Sequence, residues 1–185
     1  PAPGLPMGAL AVARIAGAKP KLPRDLPALA ECLARIHALP APAPAARPPL
    51  LVHADPIAET LKAVREQAAY LREAGLVPMA IAAIRAELAT AESAAVTLRP
   101  APVLALIGTD THPGNFLMPR RRRAVFVDLE KALYGNPAVD LAHATLYTST
   151  MWDPDCARRL APAEVADFHA AYFRAVPPAL AAAVK

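Results

Sequence analysis

Between Asn115 and Asp128 the chain runs apolar, then basic, then apolar again: Phe116-Leu117-Met118, then Arg120 to Arg123, then Ala124 to Val127. Two short apolar runs around a charged tip read as two strands joined by a turn. Such a hairpin returns Asp128 to the side of Asn115. The wider stretch, Gly108 to Ala142, therefore sets an acid, an amide and a second acid in order: Asp110, Asn115 and Asp128. Asp110 and Asn115 can share one tight loop, helped by Pro113 and Gly114. A carboxylate in that loop can accept a hydrogen bond from a hydroxyl and orient it for attack. An amide oxygen and a carboxylate with open positions suit Mg²⁺, which takes one or two carboxylates together with phosphates and water.

The rest of the composition points to helices around this small β element. The chain has 185 residues, the length of one domain. With 7 Gly against 22 Pro, proline-punctuated helices fit better than an all-β fold. The expected class is α+β, predominantly helical. The net charge of +4 describes a mildly basic protein. Only Arg120 to Arg123 cluster, and they fall at the hairpin tip where charge is solvated, so no nucleic-acid partner is expected. No apolar run reaches the roughly eighteen residues of a membrane span, and Pro1 to Gly4 lack the basic and apolar regions of a signal peptide. Cys32 and Cys156 form neither a disulfide framework nor a CxxC site. They read as free thiols of a reducing, cytoplasmic compartment. The missing initiator Met points to a processed, trimmed or partial chain.

Taken in order, Gly8 to Ile15 is a short apolar run ending at Gly17, which fits a buried strand. Asp25 caps a helix with Leu26, Leu29, Leu33 and Ile36 at helical spacing, closed by Leu39-Pro40. His37, near its end, reads as a packed histidine. Pro40 to Pro49 is an extended, stiff connector. Asp55-Pro56 opens a second helix with a stripe of Ile57, Leu61, Val64, Ala68 and Leu71, and Gly75 as its stop. Pro78 opens a third, with Ile81, Ile84, Leu88 and Ala91 on one face. The short link predicts that these two pack antiparallel. Val103 to Ile107 reads as a buried strand. Helices follow from Asn136-Pro137 and from Pro162, the latter with Val165, Phe168 and Tyr172 inward. An alanine-rich tail ends the chain.

Three segments together carry a resemblance. Asp110-Thr111-His112-Pro113-Gly114-Asn115 resembles the D-x-H-P-G-N catalytic loop of the aminoglycoside phosphotransferase and choline kinase-like family. Val127-Asp128-Leu129-Glu130 is similar to that family's I-D-W-E segment, and Pro137 to Ala142 to its P-x-x-D-L-A. Leu33 to His37 resembles its L-A-x-L-H helix, and Ala11 to Gly17 its hinge strand. The resemblance implies a protein kinase-like C-terminal lobe over residues 18–185, with residues 1–17 as hinge strand and lead-in. It implies an ATP- and Mg²⁺-dependent phosphotransferase acting on a hydroxyl of a small molecule. Asp110 would be the catalytic base, Asn115 and Asp128 the Mg²⁺ ligands, and the backbone of Ala13 and Ile15 the adenine contacts. Asp140 would be structural, accepting backbone N–H groups of the catalytic loop, and His112 would shape that loop.

The sequence departs from the family in two places. Gly108 stands where the family usually has a histidine. The family's N-terminal ATP lobe, with its glycine-rich loop and nucleotide-positioning lysine, has no counterpart here, and Lys19 and Lys21 do not lie where that lysine belongs. Two other classes remain open at this stage. A metal-dependent hydrolase could use Asp110-Thr111-His112 as a D-x-H motif, but would need further His/Asp clusters that the sequence lacks. A truncated or degenerate kinase lobe could act as a scaffold or binding protein without catalysis.

Overall fold

The computed structural model describes residues 13–46, 50–98, 103–120 and 123–184. Its first helix, α1, spans Leu26–His37. Asp25 stands at its N-cap, but its carboxylate is turned back to Lys21 N at 2.7 Å and to Arg24 Nε at 2.7 Å. Leu26, Leu29, Ala30, Leu33 and Ala34 are buried on one side of α1. They meet Phe168, Ala171, Tyr172 and Val176, presented by α6 (Pro162–Ala175) and the residue that caps it. The i, i+3, i+4 spacing of both sets is what lets two helices share one dry seam. Phe116 and Phe126 close the same core from the β side, with ring centroids 5.0 Å apart.

The β structure consists of two antiparallel pairs. β1 (Ala105–Ile107) pairs with β4 (Leu133–Gly135), and β2 (Phe116–Leu117) with β3 (Val125–Phe126). The second pair is the hairpin expected from the apolar–basic–apolar pattern. Its tip carries Arg120, in an exposed turn, and Arg123; residues 121–122 lie outside the described residues. The pairing of β1 with β4 has no local signature. Leu51 O and His53 N also bond to Tyr134, so the end of the proline-rich connector lies along β4. That connector also contains a 3₁₀ turn, Pro44–Ala46, rather than running extended throughout.

α2 (Pro56–Ala68) is capped as expected: Asp55 Oδ1 accepts from Ile57 N and Ala58 N, each at 3.0 Å. It stops at Ala68, and the chain turns through Gly75, whose φ of +63° suits glycine. α3 spans Pro78–Thr97. Ile57 and Leu61 early in α2 share an apolar cavity of about 720 Å³ with Ala91, Ala94 and Leu98 late on α3 and at its end. Arg65 Nε meets Glu92 Oε1 at 2.8 Å. The two helices are therefore antiparallel. The buried stripe is weaker than the sequence suggests: Leu61 is buried, but no residue of α3 is, and Val64 and Ile84 are exposed. Each of these alanine-rich helices has mainly the other as its neighbour.

After β4, Asn136 Oδ1 accepts from Ala138 N at 2.9 Å and starts α4 (Ala138–Thr145). Leu146 breaks the helix, and the single turn α5 (Tyr147–Thr150) follows. The alanine-rich tail is itself helical, as α7 (Pro178–Val184). Of the expected strand at 8–15, residues 8–12 lie outside the described residues and 13–15 form no strand; the first pairing is Ala18 with Met118. Among the described residues, no helix is long and apolar enough to cross a membrane.

Candidate active site

The site is built on a loop that starts at the end of β1 and is tied down from below. Asp140, fully buried on α4, accepts from Gly108 N and Thr109 N, each at 2.8 Å. Its carboxylate also meets His37 Nε2 at 3.0 Å, and His37 Nδ1 lies 2.9 Å from the Tyr172 hydroxyl. Thr111 Oγ1 donates to Asp140 O at 2.9 Å. The structural role expected for Asp140, and the packed role expected for His37, therefore belong to one buried network joining α1, α4 and α6. Burial pushes the Tyr172 hydroxyl pKa up, and the Asp140 charge pushes it further, so the phenol stays a neutral hydrogen-bonding partner.

Gly108 is fixed by packing. A Cβ there would lie 2.5 Å from the Phe126 ring. Phe126 is a core residue of β3, so a histidine could not be added at this position without moving the hairpin. Gly114 is crowded likewise, since a Cβ there would meet the Asp153 side chain at 2.7 Å or closer. The loop is clamped from the other side by Lys19, whose ammonium donates to Gly114 O and pairs with Asp153 at 3.2 Å. Lys19 is thus a loop-holding residue, a role its sequence position did not suggest. His112 shapes the loop as expected, its Nδ1 accepting from Gly114 N at 3.1 Å.

Asp110 and Asn115 are tied together within this loop, and the hairpin brings the chain at Asp128 back to it. Asn115 Nδ2 donates to Asp110 O at 2.9 Å, which leaves its amide oxygen as the free, metal-type donor. Val127 N donates to Asn115 O at 2.8 Å, so the next residue, Asp128, stands beside Asn115 as the hairpin requires. Asp128 is exposed and has a φ of +65°; Thr109, before Asp110, has a φ of +61°. A left-handed backbone at two non-glycine residues is strain of the kind that collects at functional sites. An amide oxygen and an open carboxylate fit a Mg²⁺ ion completed by phosphates and water. Among the described residues, no group of three His, Cys, Asp or Glu converges as a metal site, so the clusters a D-x-H hydrolase would need are not formed there.

Lys131 was not foreseen. Its Nζ lies 2.6 Å from Asp110 Oδ2. Burial pushes the Asp110 carboxyl up, but the Lys131 hydrogen bond and charge, helped by His112 and His143, outweigh it and hold the group below its ordinary value. A group depressed in this way stays ionised through neutral pH, and the stability its charge contributes is lost only as pH falls through the depressed value. Replacing Lys131 with methionine leaves burial less opposed, so Asp110 is expected to titrate at higher pH than in the parent. Carboxyl-carbon NMR, recorded without metal, reads this directly; an unmoved Asp110 resonance would show that the pair does not form in solution. The only sequence hint of Lys131 was its place three residues after Asp128.

Ala13 and Ile15 lie exposed, upstream of the Ala18–Met118 bridge. That bridge sets residues 13–18 next to β2, with Gly17 close against the Met118 backbone, where a Cβ would approach to 3.2 Å.

Residues 3–182 match the family described as the phosphotransferase enzyme family. The chain belongs to that family. Solved structures that share its fold include the following three. A choline kinase from Cryptosporidium parvum Iowa II is 14% identical, with a TM-score of 0.57, over 92% of this chain and 58% of that one. The macrolide 2'-phosphotransferase MphH from Brachybacterium faecium is 19% identical, with a TM-score of 0.57, over 92% of this chain and 57% of that one. A macrolide 2'-phosphotransferase type I is 18% identical, with a TM-score of 0.56, over 94% and 54%. This phosphotransferase-family chain thus spans a little over half of each. No curated protein matches it by sequence.

Proposed function

We infer that this chain supplies the catalytic and metal-binding half of an ATP-dependent phosphotransferase acting on a hydroxyl of a small molecule. The observation that supports this is a loop anchored by Asp140, in which Asn115 Nδ2 holds the Asp110 carbonyl, with a hairpin that returns Val127 to Asn115. Family membership supports the same reaction class.

Asp110 accepts the hydrogen bond of the acceptor hydroxyl and aims its oxygen at the γ-phosphorus. The new P–O bond forms as the bond to the ADP oxygen breaks, and the hydroxyl proton passes to Asp110. Most of the catalytic effect in such transfers comes from positioning and charge neutralisation rather than from a strong base. A base with a depressed pKa is therefore compatible with the chemistry. Asn115 and Asp128 would hold Mg²⁺, which would neutralise phosphate charge. Lys131 places a further positive charge against Asp110 Oδ2. The exposed backbone of Ala13 and Ile15 is the adenine edge. Reliance on ATP and two buried free thiols, Cys32 and Cys156, suit a cytoplasmic setting.

The test is titration of the native protein with Mg-ATP, followed by a substrate panel read by ADP release. Asp128→Ala is expected to weaken Mg-ATP binding about tenfold or more, as loss of a charge-assisted contact does, with the fold intact by circular dichroism. Absence of Mg-ATP binding by the parent would favour the scaffold reading. Equal binding by parent and variant would remove Asp128 from the metal site.

A further inference from the structure

A cavity of about 350 Å³ opens beside Asp110, and its walls differ in chemistry from one side to the other. Asp110 and Lys131 form the side where phosphoryl transfer would take place. His112, His143, Thr148, Ser149 and Trp152 complete the lining. The volume is at the small end of ligand sites.

The charge in this cavity is already spoken for. Asp110 is the one carboxylate among the described residues that line it, and Lys131 sits on it at 2.6 Å. Asp153, next to Trp152, is paired with Lys19. A ligand bearing several ammonium groups would meet Lys131 and find no free carboxylate in the wall, a repulsive arrangement at close range.

The rest of the lining suits a neutral ligand. Burial holds the His143 imidazole below its ordinary pKa against the pull of Asp110, so the ring is neutral at neutral pH. Its Nδ1 is buried and has no hydrogen-bond partner. Ser149 and Thr148 add hydroxyls that both donate and accept. Trp152 is 73% exposed, with Tyr147 and Met151 exposed beside it, and offers a flat apolar face next to these polar groups. Indole beside hydroxyls and imidazole matches a ring with one C–H face and several hydroxyls.

We propose that this cavity is the acceptor subsite, and that it takes a neutral cyclic polyol with its ring on Trp152 and a second hydroxyl on His143, rather than a polyamine. The proposal rests on the phosphotransferase reading, since that reading makes Asp110 the acceptor's partner. In the reaction, one hydroxyl of the polyol becomes a phosphate monoester, ATP becomes ADP, and the hydroxyl proton leaves through Asp110.

Trp152 is the sole tryptophan of the sequence, so its fluorescence reports this cavity with no nucleotide present. Methyl α-D-glucopyranoside, myo-inositol and spermine are titrated separately into the native protein. A saturable change in Trp152 emission is expected with at least one of the two polyols and not with spermine. His143→Ala is expected to weaken the polyol response about three- to tenfold, the loss of one uncharged hydrogen bond. His143→Gln, which keeps an acceptor and a donor, is expected to restore part of it, which separates a contact from a folding defect. A response to spermine stronger than to both polyols, or no response to either polyol, overturns the proposal. ADP release is measured in parallel. Saturable polyol binding without ADP release from any acceptor would leave a polyol-binding pocket but sink the phosphotransferase reading, and with it the pocket's role as acceptor subsite. ADP release with 1,3-diamino-2-propanol, a polyamine that carries a hydroxyl, and with neither polyol would do the reverse.

Discussion

Asp110→Ala is expected to lower turnover by about 10²- to 10⁴-fold, the range a positioned acid–base group contributes, while Mg-ATP affinity stays near that of the parent. The separation follows from geometry. On the proposed function Asp110 offers its side chain to the acceptor, whereas its contact with Asn115 runs through the backbone carbonyl, which alanine keeps. The metal edge is therefore left in place. The partner left behind, Lys131, is more than half exposed and is solvated once Asp110 is gone, so little folding stability should be lost. The assay is ADP release against acceptor, beside calorimetric titration with Mg-ATP. Turnover within tenfold of the parent would remove Asp110 from the chemistry.

Asp140→Ala is expected to cost on the order of 3–5 kcal/mol of folding stability, as breaking a buried hydrogen-bonded pair does. The substitution orphans the buried N–H of Gly108 and the part-buried N–H of Thr109, and removes the carboxylate from the buried His37. Asp140→Asn keeps one acceptor oxygen and should lose less. Urea denaturation of the three proteins checks the order, and an alanine variant within about 1 kcal/mol of the parent, the worth of one ordinary hydrogen bond, would show that the network is not what holds the loop. Because Asp110 follows Thr109 directly, the alanine variant should also lose activity beyond its loss of stability. This distinguishes an anchor from a distant packing residue.

The parts of the site that were legible in the sequence are those whose geometry is local. Asp110 to Asn115 is a six-residue loop turned by Pro113 and Gly114, and the hairpin announces itself by the change from apolar to basic residues and back. Helix starts were equally plain, because Asp55-Pro56 and Pro78 act within one turn. Much of what holds the loop was hidden. Lys19 reaches Gly114 across 95 positions, and His37 reaches Asp140 across 103. Lys131 meets Asp110 only because β1 and β4 pair, and short apolar strands carry no mark of their partner. The α2–α3 pair misled in the other direction: an apolar stripe at helical spacing shows which face could be buried, not whether anything arrives to cover it.

The sequence by itself determined the class of the fold, the order of its helices, and the acid–amide–acid set with its resemblance to a phosphotransferase loop. These depend on residue type and short spacing, which a chain displays without being folded. Tertiary structure alone decided that Gly108 must be glycine against Phe126, that Asp110 carries Lys131, and that His143 and Trp152 share the cavity of the base. Each of those facts is a distance between residues far apart in the chain or on different elements, and only the packing of α1 on α6, with the strands beside them, sets those distances.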